Sequence, residues 1–212
     1  MIGGTLARLA VDAGYDVVLS NSRGPETLAD LAAELGPRAR AATATEAAKA
    51  GDLVVVTVPV KACYDVPAGP LAGKVVMDTG NYYPERDGQL EELDSGALTS
   101  SELLAQLLPG ASVVKVFNNI FYKHLLNLAR TAEAADRSSL PIAGDSSSAK
   151  AEVTTFLDSI GYGSVDAGAL ADGWRYQPGT PAYGPPYGTF DNEKGTPASA
   201  AVIRAALAGA TR

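Results

Sequence analysis

The segment Asn21-Ser22-Arg23-Gly24-Pro25 follows the apolar, β-branched run Tyr15 to Ser20 and sets a hydroxyl beside a guanidinium with no carboxylate among them. In a dinucleotide-binding fold this position selects between cofactors. An Asp or Glu there binds a free ribose 2′-hydroxyl, whereas an Arg fork matches the oxygens of a 2′-phosphate. Asn21, Ser22 and Arg23 are therefore candidates for holding NADP(H) rather than NAD, the alternative being a solvated Arg in a polar turn. Met1-Ile2-Gly3-Gly4 precedes Leu6, Leu9, Ala10 and Ala13 at helical spacing. It reads as the closing x-x-Gly of a Gly-x-Gly-x-x-Gly turn, in which a pyrophosphate rests on a helix N-terminus. Met1, Ile2 and Gly3 are then cofactor-binding candidates, and the alternative is a helix that merely begins with two small residues.

Further polar clusters stand where other apolar runs end. Thr57-Val58-Pro59 closes the run Leu53 to Val58, and Pro59, which lacks an N–H, stops any strand there. These three residues are candidates for the nicotinamide side of the cofactor or a plain strand terminator. Asp78-Thr79-Gly80-Asn81 and Phe117-Asn118-Asn119 follow the next two runs. The amides of Asn81, Asn118 and Asn119 could hydrogen-bond a substrate ring, although Asn also caps helices, and one of the pair 118/119 is expected to cap. His124, one turn into the next helix, either faces the same crevice or packs. Lys115, inside a strand, is expected to snorkel to an edge or meet a ligand phosphate. Trp174 lies in a stretch, 172–191, that holds four of the thirteen prolines and five of the fourteen aromatic residues. Trp174 could wall a second ring, or the loop could pack on a sheet edge or a partner subunit. No Ser-His-Asp arrangement and no metal-ligand spacing is legible, so neither a catalytic acid or base nor a metal is expected.

The elements that must position these residues alternate. Strands are expected at 15–20, 38–42, 53–58, 74–78, 112–117, 139–143 and 164–167, with helices at 26–35, 43–50, 100–108, 120–129, 149–159 and 196–207. Repeated strand–helix alternation with continuous apolar strands predicts an α/β protein with a doubly wound, mainly parallel sheet. The expected division is residues 1–170 as the nucleotide-binding part and residues 171–212 as a smaller loop-plus-helix elaboration. The strand and two glycines that would precede the phosphate turn are absent. The expectation is therefore that the natural product extends upstream, the given start being a misassigned codon or a truncation, and that two strands lack the partner that belongs between them. Composition narrows the classes. Charged residues make up 19% with a net charge of -7 and no basic stripe, which argues against nucleic acid. No apolar run approaches the roughly 20 residues of a membrane span, and the lone Cys63 fits a reducing cytoplasm.

Together, Met1-Ile2-Gly3-Gly4, Asn21-Ser22-Arg23-Gly24-Pro25, Thr57-Val58-Pro59 and Val116-Phe117-Asn118-Asn119 resemble the coenzyme F420-dependent NADP oxidoreductases and their bacterial relatives. The likeness extends through Asp78 to Gly88 and the segment Leu140 to Asp145. It implies a Rossmann-type domain that binds NADP(H) and a small C-terminal part that helps form the cleft for the deazaflavin, in a homodimer. Met1 and Ile2 would line the pyrophosphate turn, Ser22 and Arg23 the 2′-phosphate, and Val58 and Pro59 the nicotinamide. The implied reaction is hydride transfer between NADP(H) and the deazaflavin, with a flavin, a quinone or a small carbonyl compound as other second substrates. A rival reading is a regulatory protein that binds NADP without transferring hydride, and another is a scaffold that has lost its ligand.

Overall fold

The computed structural model describes residues 2–212. Helix α1 (Ile2–Asp12) leads through Gly14, whose φ of 92° only glycine adopts freely, into β1 (Val17–Leu19). A 3-10 turn, Pro25–Leu28, and α2 (Ala29–Leu35) return the chain to β2 (Ala39–Ala41), which pairs with β1 in parallel. Helix α3 (Ala44–Ala50) then starts in a capping box of Thr43 and Glu46 and delivers β3 (Leu53–Val56). Beyond it come β4 (Val75–Asp78), the short helices α4 (Pro84–Asp87) and α5 (Glu91–Asp94), α6 (Ser100–Leu107), β5 (Ser112–Lys115) and α7 (Tyr122–Asn127). The chain closes with β6 (Ser139–Gly144), α8 (Ser147–Ser159), β7 (Gly163–Gly168) and α9 (Ala200–Ala208).

The strands form two sheets, β1-β2 and β3-β4-β5-β6-β7. Among the described residues β1 pairs only with β2, and the outer edge of β3 pairs with nothing. All pairings are parallel except β5 with β6, so β6 and β7 run opposite to the three strands before them. Alternation along each strand fills both faces of the larger sheet. Met77 and Val114 join Leu6, Leu140, Val153 and Ile203 on one face, and their neighbours Val76 and Val113 join Val56, Leu71, Leu104 and Leu108 on the other. This is the two-sided covering of a doubly wound α/β fold. The C-terminal segment is no separate layer, because Tyr176, Ala182, Tyr187, Ile203 and Leu207 all enter the first of these cores.

Most expected elements are present, the majority with shorter ends, while β6, β7 and α8 run one or two residues longer. The strand expected to reach Phe117 stops at Lys115, and Phe117 takes φ 65°, a left-handed conformation that costs a non-glycine residue about 1–3 kcal/mol and breaks the ladder. The region 172–191 holds only 3-10 turns, at Leu170–Tyr176 and Pro185–Tyr187.

Candidate functional site

Because α1 feeds β1 through a short loop, the two run in opposite directions, and the start of α1 lies at the end where β1 finishes. A Cβ on Gly3 would sit 2.8 Å from Oγ1 of Thr57, immediately past β3. Only glycine lets the helix start come this close to the strand end, so the two candidate motifs meet at one edge. Met1 lies outside the described residues. Ile2 turns its side chain toward the core, which leaves its backbone at the edge. Thr57 and Pro59 are exposed there, while Val58 packs against the second core. The first turn of α1 carries no acidic side chain to oppose an anion.

The turn after β1 is held by Asn21. Its Oδ1 accepts from the Arg23 backbone N–H at 2.9 Å and its Nδ2 donates to Thr27 Oγ1 at 2.9 Å, while Thr27 Oγ1 donates to the Gly24 carbonyl at 2.8 Å. Gly24 at φ 104° then admits Pro25. With both ends of its amide engaged, Asn21 shapes the turn, and Ser22 and Arg23 stand exposed upon it. Arg23 makes no ion pair among the described residues, whereas the nearby Arg8 is bound bidentately to Glu34. The guanidinium of Arg23 is therefore an exposed cation without an ion-pair partner among the described residues.

Lys115 neither snorkels nor faces a ligand. Its side chain is fully buried, and Nζ donates to the Gly80 carbonyl and Ser101 Oγ, both at 3.0 Å, and to Ser100 Oγ at 3.4 Å. Ser101 passes the interaction on, donating at 2.6 Å to Asp78 Oδ2, while Asp78 Oδ1 accepts the Gly80 N–H at 2.8 Å. Burial pulls the lysine below its ordinary pKa, and the Asp78 charge opposes that shift. Gly173 lies directly over the chain, since a Cβ there would fall 2.7 Å from Lys115 Cδ. The Tyr176 hydroxyl closes the arrangement by donating to the Lys115 carbonyl at 2.9 Å.

The ends of β4 and β5 thus carry the start of the aromatic loop, and the asparagines fasten the rest. Asn118 Nδ2 donates to the Tyr176 carbonyl and Asn119 Nδ2 to the Ala182 carbonyl, each at 2.8 Å, and the Gly184 N–H donates to the Asn119 carbonyl at 2.9 Å. His124 is buried, with Nε2 bonded to the Asn192 carbonyl at 2.8 Å. Asn118, Asn119 and His124 are accordingly pegs that hold residues 176–192 across the carboxyl edge of the sheet. Asn81 stays partly exposed between strand and loop, its Nδ2 reaching the Asn118 carbonyl at 2.8 Å and the Tyr183 hydroxyl at 3.4 Å. Tyr83 and Tyr183, two residues that strand-end patterns pass over, bond hydroxyl to hydroxyl, and the Arg86 guanidinium lies 4.9 Å from the centre of the Tyr83 ring. Trp174 stands apart from this edge. It lines a cleft of about 380 Å³ with Leu98, Thr99, Gln177 and Arg212, and guanidiniums of Arg175 and Arg212 lie over its ring. A second cleft, about 490 Å³, lies between α1 and α7 and touches none of the expected ligand residues.

Among the described residues no group of His, Cys, Asp and Glu could hold a metal, and no helix is long and apolar enough to cross a membrane. The family of "NADP oxidoreductase coenzyme F420-dependent" proteins matches residues 1–82, the span that holds the helix start, the Arg23 turn, the Thr57 edge and Asn81. No curated protein matches the chain. A hypothetical protein from Sinorhizobium meliloti is 28% identical, with a TM-score of 0.70 over 84% of this chain and 86% of that one. A candidate F420-dependent NADP reductase from Arthrobacter sp. FB24 is 25% identical, with a TM-score of 0.66 over 79% of this chain and 80% of its own. The 3-hydroxyisobutyrate dehydrogenase of Mycobacterium tuberculosis, 19% identical, shares the fold with a TM-score of 0.57 over 81% of this chain and 53% of its own length. These matches agree on the fold: the chain has a Rossmann-type α/β fold, and its residues 1–82 match the family of coenzyme F420-dependent NADP oxidoreductases.

Proposed function

We propose that this protein binds NADP(H) along the carboxyl edge of its sheet and exchanges hydride with a deazaflavin or a similar conjugated acceptor. The observation that carries the reading is the exposed Arg23 guanidinium, unpaired among the described residues and fixed on a turn that Asn21, Thr27 and Gly24 hold rigid. A preorganised cation binds a phosphate without first breaking an ion pair, and charge-assisted bonds of this kind are the strong ones. The N-terminus of α1, brought against Thr57 by Gly3, suits the pyrophosphate. Ser22 and Arg23 would hold the 2′-phosphate, and the exposed Thr57 and Pro59 would floor the nicotinamide. When bound, NADPH supplies the hydride. The chain's own work is to align the acceptor over that floor and keep water out, which Asn81 and the loop pegged by Asn118, Asn119 and His124 are placed to do.

Residues 1–170 carry the nucleotide in this reading, and residues 171–212 cover it. A homodimer in a reducing cytoplasm belongs to the same proposal, and equilibrium sedimentation measures the dimer. The central experiment is a fluorescence titration with NADPH and NADH of the wild type and of Arg23→Ala. One charged hydrogen-bonded contact is worth about 1.5–3 kcal/mol, so the variant loses about ten- to a hundredfold in NADPH affinity and little in NADH affinity. Equal losses for both nucleotides, or no NADPH preference in the wild type, would overturn the reading.

A further inference from the structure

We infer that the hydroxyl of Tyr183 is an acid for the reduction, donating the proton that the acceptor takes up as it receives hydride, with Tyr83 as its supporting residue. The inference rests on the reading above for the source of hydride and stands on its own geometry for the proton. Two phenolic hydroxyls meet at 83 and 183, and the bond between them consumes one of their two protons. Among the described residues neither hydroxyl has a carbonyl or carboxylate to receive the other. One O–H is left over on a half-buried pair at the carboxyl edge, beside Asn81. A donor in such a place without an acceptor is suited to a ligand oxygen or nitrogen.

The surroundings decide which of the two oxygens is placed to hand a proton to a ligand. The Tyr183 oxygen is approached by two donors, Asn81 Nδ2 at 3.4 Å and the Tyr83 O–H. The Tyr83 oxygen has only Tyr183 as a hydrogen-bonding donor, and Arg86 lies over its ring, not at its oxygen. The two donors at Tyr183 are placed to follow the charge that forms at its oxygen as its proton leaves, with Arg86 adding a favourable field to the pair. Burial, followed by the bond to Tyr83, raises the Tyr183 pKa above the ordinary phenol value, so the hydroxyl holds its proton until an acceptor made strongly basic by hydride addition takes it. Position is set by the loop, since Ala182 and Gly184 on either side are tied to Asn119.

The balance defines the substrate class. Hydride adds to an electrophilic carbon of a conjugated C=N or C=O acceptor, and the π pair shifts to the terminal nitrogen or oxygen. That atom takes the Tyr183 proton. The phenolate left behind regains a proton from Tyr83, which recovers its own from solvent. A deazaflavin belongs to this class, because hydride at its ring carbon places the electron pair on a ring nitrogen. An acceptor that stores the pair without gaining a proton does not.

The test uses the full chain and 8-hydroxy-5-deazaflavin as probe, comparing wild type, Tyr183→Phe and Tyr83→Phe. Without nucleotide, the probe's absorption and fluorescence report binding. Tyr183→Phe is expected to weaken it about tenfold, the worth of one hydrogen bond, and Tyr83→Phe by less. With NADPH, turnover of Tyr183→Phe falls about a hundredfold and rises again with added imidazolium as an external acid, while its NADPH affinity, titrated separately, is unchanged. A flat NADPH titration in the wild type would refute the nucleotide reading and leave the probe experiment decisive for the tyrosines. Wild-type protein that does not bind the probe, a Tyr183→Phe variant with normal affinity and turnover, or a loss that no external acid restores would each overturn the assignment.

Discussion

Replacing Gly173 by Ala adds one methyl group against a fully buried lysine side chain. The new Cβ would stand 2.7 Å from Lys115 Cδ, and ordinary contact at 3.4 Å requires the lysine to shift by about 0.7 Å. That side chain is fully buried and anchored at its far end, with Nζ at 3.0 Å from both the Gly80 carbonyl and Ser101 Oγ. A shift of this size stretches both bonds beyond useful length. Overpacking costs about 1–3 kcal/mol, and loss of one hydrogen bond to a charged group about 1.5–3 kcal/mol. Taking about 3 kcal/mol, the melting temperature falls by about 6–12 °C for a chain of this length. Urea and thermal unfolding of Gly173→Ala measure it, and Lys115→Val supplies the control, because valine ends before the δ position. In the Lys115→Val background the nearest retained atom of residue 115 is its Cβ at 3.8 Å, an ordinary contact, so the same substitution there costs under about 1 kcal/mol and the double-mutant cycle returns a coupling of about 2 kcal/mol. Additive effects, or a Gly173→Ala protein that melts with the wild type, would refute the claim that Lys115 has no room to move.

Two further outcomes follow from buried groups. Burial, and after it the Asp78 and Asp87 carboxylates, pushes the Cys63 thiol up to about 12, so iodoacetamide at pH 8 is expected to leave the folded protein unlabelled and to alkylate it fully in urea. Rapid labelling of the folded chain would show that the thiol is accessible. Lys115 has a folded pKa below the unfolded value of 10.5, so the unfolded chain holds the proton more tightly and the penalty for burying the charge lifts as pH rises toward 10.5. Measured by urea unfolding, wild type should gain stability over that interval relative to Lys115→Met, and parallel profiles would exclude the effect.

Much of the scaffold was legible because its signals are local. The continuous apolar run at Leu53 announces a strand covered on both faces, and the helices expected at 43–50 and 100–108 match α3 and α6, which capping boxes of Thr43 and Thr99 start. Strand direction carries no such mark. The run Ser139–Gly144 is buried throughout and reads like any other inner strand, yet it pairs antiparallel with β5. The site divides the same way. The Arg23 turn is made by residues within six positions of Asn21, and its polar, phosphate-ready character is visible in the string. Lys115, Asn118, Asn119 and His124 are identifiable as unusual, but their duties depend on Ser101, Tyr176, Ala182 and Asn192, 14 to 68 residues away. Sequence spacing contains nothing that brings those partners together, and the Tyr83–Tyr183 contact spans 100 residues.

The pegs that hold residues 176–192 grip main-chain oxygens, those of Tyr176, Ala182 and Asn192. Every residue type carries such an oxygen. Replacing Gln177, Thr180 or Pro181 therefore leaves these three bonds intact, and the surface that the loop presents can vary on an unchanged frame. Attachment and surface chemistry are inherited separately here, which is the arrangement that lets one scaffold diversify without first losing its shape.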